Sequence, residues 1–336
     1  MSGTRTASTS PPRRPTSGSA LLAVLWLSAA LSAIAFSLAV TVRGEAERSS
    51  AALESVRTHF LATGALQRAL LYMNWGRSYF GPDGQSLYYT WGQPGLSFDF
   101  PTGSAEVLIT PESSKLNVNL ATPEELYSLL VSLGAEPERA QAIAQGILEW
   151  RTPIASALPD ASEQLSLALA PSFPPRHASL EEIEELLLIN GMTPDLFYGS
   201  FGRDGQGRLA TSPGLRDSLT TYGAGGALDV NTAQPAALNA VGVSPDAIAL
   251  ILQRRSVAPF RKPEELAALF QGAPFYSRLR IGGNAIYTLR ATARLRLPSG
   301  ALSPDRRSVA AMVKFMGRGF DDVYHVLRWY DNVWVQ

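Results

Sequence analysis

The chain of 336 residues contains no cysteine. This absence excludes disulfide scaffolds, thiolate metal sites and cysteine nucleophiles together. Basic and acidic residues number 29 each, so no overall charge favours a nucleic acid or an acidic partner. The length leaves room for a membrane anchor and two domains, and cores of that size need no disulfides.

Histidine is also scarce, and the three that occur, His59, His177 and His325, are far apart in the sequence. The chain has no H-E-x-x-H metal motif, no G-x-S-x-G nucleophile elbow and no G-x-x-x-x-G-K phosphate loop. Because no catalytic constellation is visible, we expect that the protein is not an enzyme.

Charge is missing altogether from Ser19 to Val42. An apolar stretch of this length can cross a bilayer as a helix. The arm before it contains Arg5, Arg13 and Arg14 and no acidic residue. A positive arm predicts a cytoplasmic N-terminus, with the rest of the chain on the far side of the membrane.

Three interpretations of this N-terminus remain open. A secretory signal has a shorter apolar run and a small-residue cleavage site, which Val40-Thr41-Val42 matches poorly. A plain signal anchor fits the length. A prepilin-type leader, cut before the apolar run, requires a glycine immediately ahead of that run, and Gly18 stands there.

Helical periodicity continues beyond the apolar run. Apolar residues recur at helical spacing at Leu53, Val56, Phe60, Leu66, Leu70 and Met73. We therefore predict one helix from about Ala20 to about Arg77, apolar all round in its first half and one-sided in its second. Lipid or a filament core suits the first half, and a sheet packed on one face suits the second.

Strand signals flank a long helical region. Residues 87–91 (LYYTW), 96–100 (LSFDF) and 105–110 (AEVLIT) predict strands, and helical signals then continue to about Gly282. The strand pattern returns near the C-terminus, where one face is predicted to hold Tyr287, Leu289, Ala291, Ala293, Leu295 and Leu297. This order predicts an α+β fold with a large all-helical domain inserted into a small antiparallel sheet. The predicted segments are leader 1–18, transmembrane half-helix 19–42, amphipathic helix and first strands 43–111, inserted helical domain 112–282 and C-terminal strands 283–336.

The inserted region contains two similar segments, Leu116–Arg151 and Leu228–Phe270. Each begins L-N/D-V-N and continues with a proline that opens a helix, a glycine turn and a second helix containing arginine. This pattern resembles the helix-hairpin-helix, whose DNA-binding examples approach phosphate through the hairpin glycines.

Charge weakens the DNA interpretation. Residues 115–151 contain three basic and five acidic residues, and each turn has one glycine rather than two. The second segment is more basic, with Arg254, Arg255, Arg261 and Lys262. A compact hairpin used for packing is the favoured interpretation, and nucleic acid is not an expected partner. A membrane-anchored DNA-binding or DNA-uptake protein remains the alternative.

The order of these segments resembles the general secretion pathway protein K (GspK) family, the large minor pseudopilins of type II secretion systems. The matching stretches are Gly18 before SALLAVLWLSAALSAIAFSLAV, LNVNLATPEEL with ILEWR, PPRHASLEEIEELLLINGMTPDLFYG, GLRDSLTTYG and LDVNTAQPAAL. Together they cover essentially the whole chain.

The resemblance implies a fold and a role. The fold is a pilin-like helix on a small antiparallel sheet with a helical domain inserted. The role is to cap the tip of a periplasmic pseudopilus, and to support its assembly and the export of folded proteins. The implied partners are the I- and J-type minor pseudopilins, the major pseudopilin, the prepilin peptidase and the inner-membrane assembly platform. The implied location is the inner membrane, with a single span, a cytoplasmic N-terminus and a periplasmic bulk.

The resemblance also implies which residues serve in processing and in helix packing. The peptidase would cut after Gly18 and methylate Ser19. Major pilins usually have glutamate at the fifth mature position, where this protein has Ala23; a tip subunit has no neighbour above it and does not need that carboxylate. A plain anchor would lack the glutamate too. Helix packing and assembly are assigned to Leu21, Leu22, Ala23, Leu25, Leu27, Leu31, Ile34 and Phe36.

Some relatives have calcium sites built from acidic residues after the ILEWR-like segment. Here Arg151 is followed by Thr152-Pro153-Ile154-Ala155, with only Asp160 and Glu163 nearby. Calcium needs six or more oxygens. We therefore expect no metal and no cofactor, although the resemblance leaves calcium open.

Overall fold

The computed structural model describes residues 17–76, 78–153, 175–203, 205–223, 225–283, 285–317 and 323–333. The predicted leader up to Thr16 and most of the predicted loop over 152–177 lie outside these residues. The chain divides into two compact units, Met1–Arg57 and Thr58–Gln336. Each unit is described by itself below.

The predicted long N-terminal helix is confirmed as α1, Ser17–Trp75. No proline interrupts this sequence. In the first unit the side chains from Ser19 to Val42 are exposed all around the helix. Charged residues follow, with ion pairs between Arg43 and Glu47 and between Arg48 and Glu45.

The second unit contains eleven strands among its described residues. Their bounds are β1 Gly95–Phe100, β2 Gly103–Pro111, β3 Leu116–Asn117, β4 Ser200–Arg203, β5 Leu209–Ser212, β6 Leu219–Thr220, β7 Leu228–Asp229, β8 Leu279–Arg280, β9 Ile286–Leu295, β10 Arg307–Phe315 and β11 Tyr324–Tyr330. Five of them form one antiparallel sheet in the order β1-β2-β9-β10-β11. Since β2 pairs with β9, this sheet begins before the helical region and is completed after it, which confirms the α+β fold.

Two strand predictions were wrong in detail. Residues 87–91 form no strand, and only an isolated bridge joins Phe80 to Ser86, because turns at Gly81–Gln85 and Thr90–Gln93 interrupt the extended backbone. At the other end, β9 stops at Leu295, and Leu297 beyond it is exposed. The alternation is right over Tyr287–Ala293, where every second residue is buried.

Small residues recur where the second half of α1 meets the sheet. Ala62, Ala65 and Ala69 from the helix share one buried core with Ala105, Ala291 and Ala293 from the sheet. Alanine on both surfaces allows the two backbones to approach closely. Larger side chains complete this core, among them Leu66, Leu70, Val107, Ile109, Leu289 and Val313.

The insertion between β2 and β9 has a core of its own. Its helices are α2 Pro123–Ser132, α3 Pro137–Arg151, α4 Pro194–Tyr198, α5 Pro235–Ala240, α6 Pro245–Val257 and α7 Pro263–Phe270, with short 3-10 helices at Glu112–Ser114, Ile183–Leu188, Leu215–Asp217 and Tyr276–Arg278. It is not purely helical, because β3 pairs with β6 and β7 with β8 in parallel, and β4 and β5 form a hairpin. Pairings of two residues are too short to produce a recognisable strand pattern in the sequence.

A buried carboxylate connects the start of the insertion to the sheet. Glu112 accepts hydrogen bonds from the hydroxyls of Thr220 at 2.6 Å and Thr288 at 2.7 Å, and Lys115 lies 3.1 Å away. Burial alone would raise the pKa of Glu112. The charge of Lys115 and the hydroxyl hydrogen bonds outweigh that effect, so the pKa is lowered.

We predict that Glu112 makes the stability of the second unit depend on pH. A lowered pKa stabilises the fold above the ordinary value of 4.5, and this contribution is lost as the pH falls through the folded-state pKa. Glu112→Gln should lower the free energy of unfolding near neutral pH by about 1–3 kcal/mol. It should also flatten the acid limb of the stability profile.

Chemical unfolding at a series of pH values checks this prediction. The matched control is Glu106→Gln on the neighbouring β2, where the side chain is exposed. An unchanged acid limb in Glu112→Gln would contradict it.

Candidate assembly site

The N-terminal helix contains every residue to which the sequence assigned processing or assembly. Gly18 and Ser19 lie in the first turn of α1, which begins at Ser17. The assigned packing residues all lie further along it with exposed side chains, namely Leu21, Leu22, Ala23, Leu25, Leu27, Leu31, Ile34 and Phe36. Their roles in processing and packing stay predictions.

Two hydroxyl side chains in the apolar part of this helix donate to its own backbone. Ser28 donates its hydroxyl hydrogen to the carbonyl of Leu25, and Thr41 donates to that of Ser37, each at 2.9 Å. Such bonds let a helix with hydroxyl side chains enter an apolar medium without unpaired donors. Among the described residues α1 is the one helix long and apolar enough to cross a membrane.

The insertion is built from two copies of one structural unit, which we call the first repeat (residues 116–220) and the second repeat (residues 228–280). In each, a short strand leads through L-N/D-V-N into two helices joined by a glycine turn, and a closing strand returns parallel to the first. The turn glycines, Gly134 and Gly242, have φ of 91° and 87°. The sequence predicted the hairpins but not the closing strands.

An arginine near the end of the second helix binds the start of each repeat. Arg151 donates to the carbonyls of Val118 and Ala121 at 2.5 and 2.6 Å. Arg255 donates to the carbonyls of Val230 and Ala233 at 3.0 and 2.8 Å. These carbonyls occupy equivalent positions in the L-N/D-V-N-x-A segments. Burial lowers the pKa of both arginines.

An asparagine in the same segments binds the residues that follow the second helix. Asn119 accepts from the backbone N–H of Leu180 and donates to its carbonyl, at 2.8 and 2.9 Å. Asn231 makes the same two bonds with Phe260, at 2.8 and 2.9 Å. The side-chain amide thus replaces a neighbouring strand, and both repeats fold their third helical segment back in the same way.

A glutamate in that third segment completes the pattern. The indole N–H of Trp150 donates to Glu185 at 3.0 Å, and Arg254 donates to Glu265 at 2.9 Å. Trp150 and Arg254 each precede the arginine that binds the L-N/D-V-N segment. Burial alone would raise the pKa of Glu185, but its hydrogen bonds outweigh burial and lower it.

These contacts remove the main support for DNA binding. Arg254 also donates to the carbonyl of Ala258 at 2.6 Å, and Arg255 donates to the two carbonyls named above. Of the four basic residues that favoured a phosphate backbone, Arg261 and Lys262 are exposed. The second hairpin therefore uses its arginines to hold its own backbone.

No group of three or more acidic or histidine side chains that could hold a metal ion occurs in the described part of the chain. Asp160 and Glu163 lie outside the described residues. The expectation of no cofactor stays a prediction.

The fold and the apolar helix together define a class of protein. A long helix that is apolar at its N-terminal end and packs on a small antiparallel sheet near its C-terminal end is the pilin-like arrangement. A sizeable insertion between two paired strands distinguishes this protein within that arrangement. The class is therefore that of a pilin-like protein with an inserted domain and a helix long and apolar enough to cross a membrane.

Comparison with known proteins specifies the family. Residues 109–198 match the family model described as "Type II secretion system (T2SS), protein K". The curated type II secretion system protein K of Klebsiella pneumoniae is 25% identical over 199 residues, covering 54% of this chain and 59% of that protein. The chain thus spans less than two thirds of the length of this relative. Both matches confirm the resemblance to the type II secretion system protein K family.

A solved structure agrees in fold. One subunit in the crystal structure of the GspK-GspI-GspJ complex from enterotoxigenic Escherichia coli aligns with a TM-score of 0.50 and 18% identity. The alignment covers 86% of this chain and 98% of that subunit. At this identity the match supports the fold alone.

We predict that Arg255 is a structural residue of the second repeat. Arg255→Met keeps a long apolar stem but leaves the carbonyls of Val230 and Ala233 without their donor. An unsatisfied buried polar group costs about 1–3 kcal/mol, so the free energy of unfolding should fall by at least that amount.

Thermal or chemical unfolding of the purified protein measures this effect. Lys262→Met, at an exposed position, is the matched control and should change stability by less than about 0.5 kcal/mol. Equal stability of the two variants would mean that Arg255 is dispensable.

Proposed function

We propose that this protein is a minor pseudopilin that caps the tip of the type II secretion pseudopilus. Its similarity to type II secretion system protein K and its apolar N-terminal helix support this role. The observation that carries the tip position is Ala23, which supplies no carboxylate to pair with the terminal amine of a subunit above it. Capping would support pseudopilus assembly and the export of folded proteins across the outer membrane.

The proposed location is the inner membrane, with the residues after Val42 in the periplasm. Arg5, Arg13 and Arg14 favour a cytoplasmic N-terminus, because positive flanking segments are retained on that side. The ion-paired stretch that begins at Arg43 suits the opposite membrane surface.

The proposed partners are the I- and J-type minor pseudopilins, the major pseudopilin, the prepilin peptidase and the inner-membrane assembly platform. The GspK-GspI-GspJ complex that contains the structural relative supports the first two. Contact would be made through the exposed apolar side chains from Leu21 to Phe36. The proposed role is structural and requires neither catalysis nor a cofactor.

We predict that Gly18→Phe blocks processing, because a bulky side chain replaces the glycine ahead of the cut. The wild-type protein should begin at a methylated Ser19 when the prepilin peptidase is present and should keep its leader when the peptidase is deleted. The intact mass and the N-terminal sequence of the membrane-extracted protein measure both outcomes. Gly44→Phe is the matched control, since Gly44 lies in an open position on the same helix. Normal processing of Gly18→Phe would contradict the pseudopilin proposal.

We also predict that the N-terminal helix has pseudopilin neighbours on one side only. The native protein has no cysteine, so a single introduced cysteine is crosslinked without background. Leu25→Cys or Leu31→Cys, combined with single cysteines in candidate partners, should give crosslinks to minor pseudopilins and none to a second copy of this protein. Val257→Cys, exposed on the insertion, is the control. Crosslinks between copies of this protein along a filament would contradict a tip position.

A further inference from the structure

The last strand of the five-stranded sheet, β11, has an open outer edge. In the part of the chain that the structure describes, β11 pairs with β10 and with no other strand. The N–H of Met316 donates to the carbonyl of Val323 at 2.9 Å, which fixes the alternation of the ladder. Because antiparallel partners alternate between bonded and unbonded pairs, the backbone groups of Tyr324 and Val326 point away from β10.

A bulge carries this alternation to a third residue. Val313 pairs with Val326 but Met312 pairs with Arg328, so Leu327 is an extra residue in β11. Beyond it, the backbone of Trp329 points outward. We call the outward backbone groups of Tyr324, Val326 and Trp329 the β11 edge. Their alternating N–H and carbonyl groups match those of another extended chain.

The side chains of these three residues lie on the face of the sheet that the second half of α1 covers. Their partners in β10 are Phe315, Val313 and Ala311, which belong to the core beneath that helix. Val326 is 49% exposed and Trp329 is 37% exposed. An apolar side chain from an added strand would therefore extend the existing core and remove this apolar surface from water.

The opposite face of β11 carries charges of both signs. Arg328 forms ion pairs with Glu182 and Glu184 of the insertion, and the exposed Lys314 of β10 pairs with His325 in the register of the strands. This face therefore favours neither an acidic nor a basic strand, and neutral polar side chains fit beside it.

The other end of the sheet, β1, is protected against pairing. The N–H of Ile109 donates to the carbonyl of Pro94, so Gly95 and Asp99 are among the residues whose backbone points outward. The side-chain amide of Gln93 donates to the carbonyl of Gly95 at 2.8 Å, and the carboxylate of Asp99 is largely exposed. Charges and capped groups of this kind block edge pairing. β11 has neither lysine nor proline, and its arginine is ion-paired across the sheet.

We propose that the β11 edge binds an extended segment of a neighbouring pilin-like subunit, which joins the sheet as an antiparallel sixth strand. The segment has apolar side chains on the α1 side and neutral polar side chains on the other. The identity of the neighbour rests on the proposed function, since a subunit whose helix runs beside α1 brings its own sheet to this face. The strand pairing itself does not rest on it.

Hydrogen exchange, followed by amide NMR on the full-length protein in detergent micelles, tests the pairing. The probe is an acetylated and amidated Val-Thr-Val-Thr-Val peptide. At saturation it should slow exchange of the N–H groups of Tyr324 and Val326 about tenfold, because each becomes a hydrogen-bond donor. Unchanged exchange up to about 5 mM peptide would overturn the proposal.

Two methylated peptides test the direction of the hydrogen bonds without any change to the protein. In an antiparallel added strand the valine backbone faces β11 and the threonine backbone faces away. N-methylation of the central valine should abolish protection, whereas N-methylation of one threonine should preserve it. Equal effects of the two methylations would contradict edge pairing.

A proline variant tests the edge from the side of the protein. Val326→Pro removes an outward N–H but no bond to β10, and it should weaken peptide binding roughly tenfold. Slow exchange of the N–H of His325, which faces β10, verifies that the variant is folded. Ser97→Pro, at an outward position of β1, is the matched control and should leave binding unchanged. Equal binding by the two variants would count against the β11 edge.

Disulfide crosslinking in cells tests the source of the strand. Val326→Cys, combined with single cysteines along the sheet edges of the I- and J-type minor pseudopilins, should form disulfides at every second position of one edge strand. Disulfides between two copies of this protein, or none with either pseudopilin, would refute the proposed source. Processing at Gly18 and Ser19 is measured separately, so failure of the strand pairing and failure of the pseudopilin role are distinguishable.

Discussion

The attachment of the insertion to the sheet depends on a buried carboxylate at its first turn. Glu112 receives hydrogen bonds from Thr220 at the end of the first repeat and from Thr288 in β9, so one residue links three distant segments. At the exit of the insertion Asp229 accepts the N–H of Gly282 at 2.7 Å. Both ends of the insertion are therefore held by buried polar groups, whose hydrogen bonds specify one arrangement and contribute to its stability.

Inside the insertion, long polar side chains that bind the backbone replace sheet pairing. Arg151 and Arg255 satisfy carbonyls that no strand reaches, and Asn119 and Asn231 pair with single residues as a strand would. Because these contacts recur at equivalent positions, the two repeats share one internal architecture, and they pack against each other through α2 and α5. The bond between Asn239 and Ser132, at 2.7 Å, lies at that contact.

Sequence periodicity predicted the elements whose pattern extends over many residues. The long helix and the alternation over Tyr287–Ala293 fall in this group. The proline predicted to open the first hairpin helix is Pro123, and the structure adds a capping box between Thr122 and Glu125. The two-residue strands and the role of Glu112 could not be predicted, since each depends on a partner tens of residues or more away. The repeated L-N/D-V-N was visible, but its asparagine has meaning only once Leu180 and Phe260 are in position. The assembly residues on α1 share one apolar composition, which does not distinguish one face of the helix from another.

The helices of the two hairpins differ in length. α2 has 10 residues and α5 has 6, and Arg151 is the last residue of α3 whereas Arg255 is followed by two more residues of the shorter α6. α2 is thus about one turn longer than α5, and α3 up to Arg151 is about one turn longer than α6 up to Arg255, while the arginine at the base reaches the same carbonyls. Such a hairpin can grow or shrink at its tip in matched steps of a helical turn without moving its base. In distant relatives, length changes in this region should therefore come in pairs, one on each side of the glycine turn.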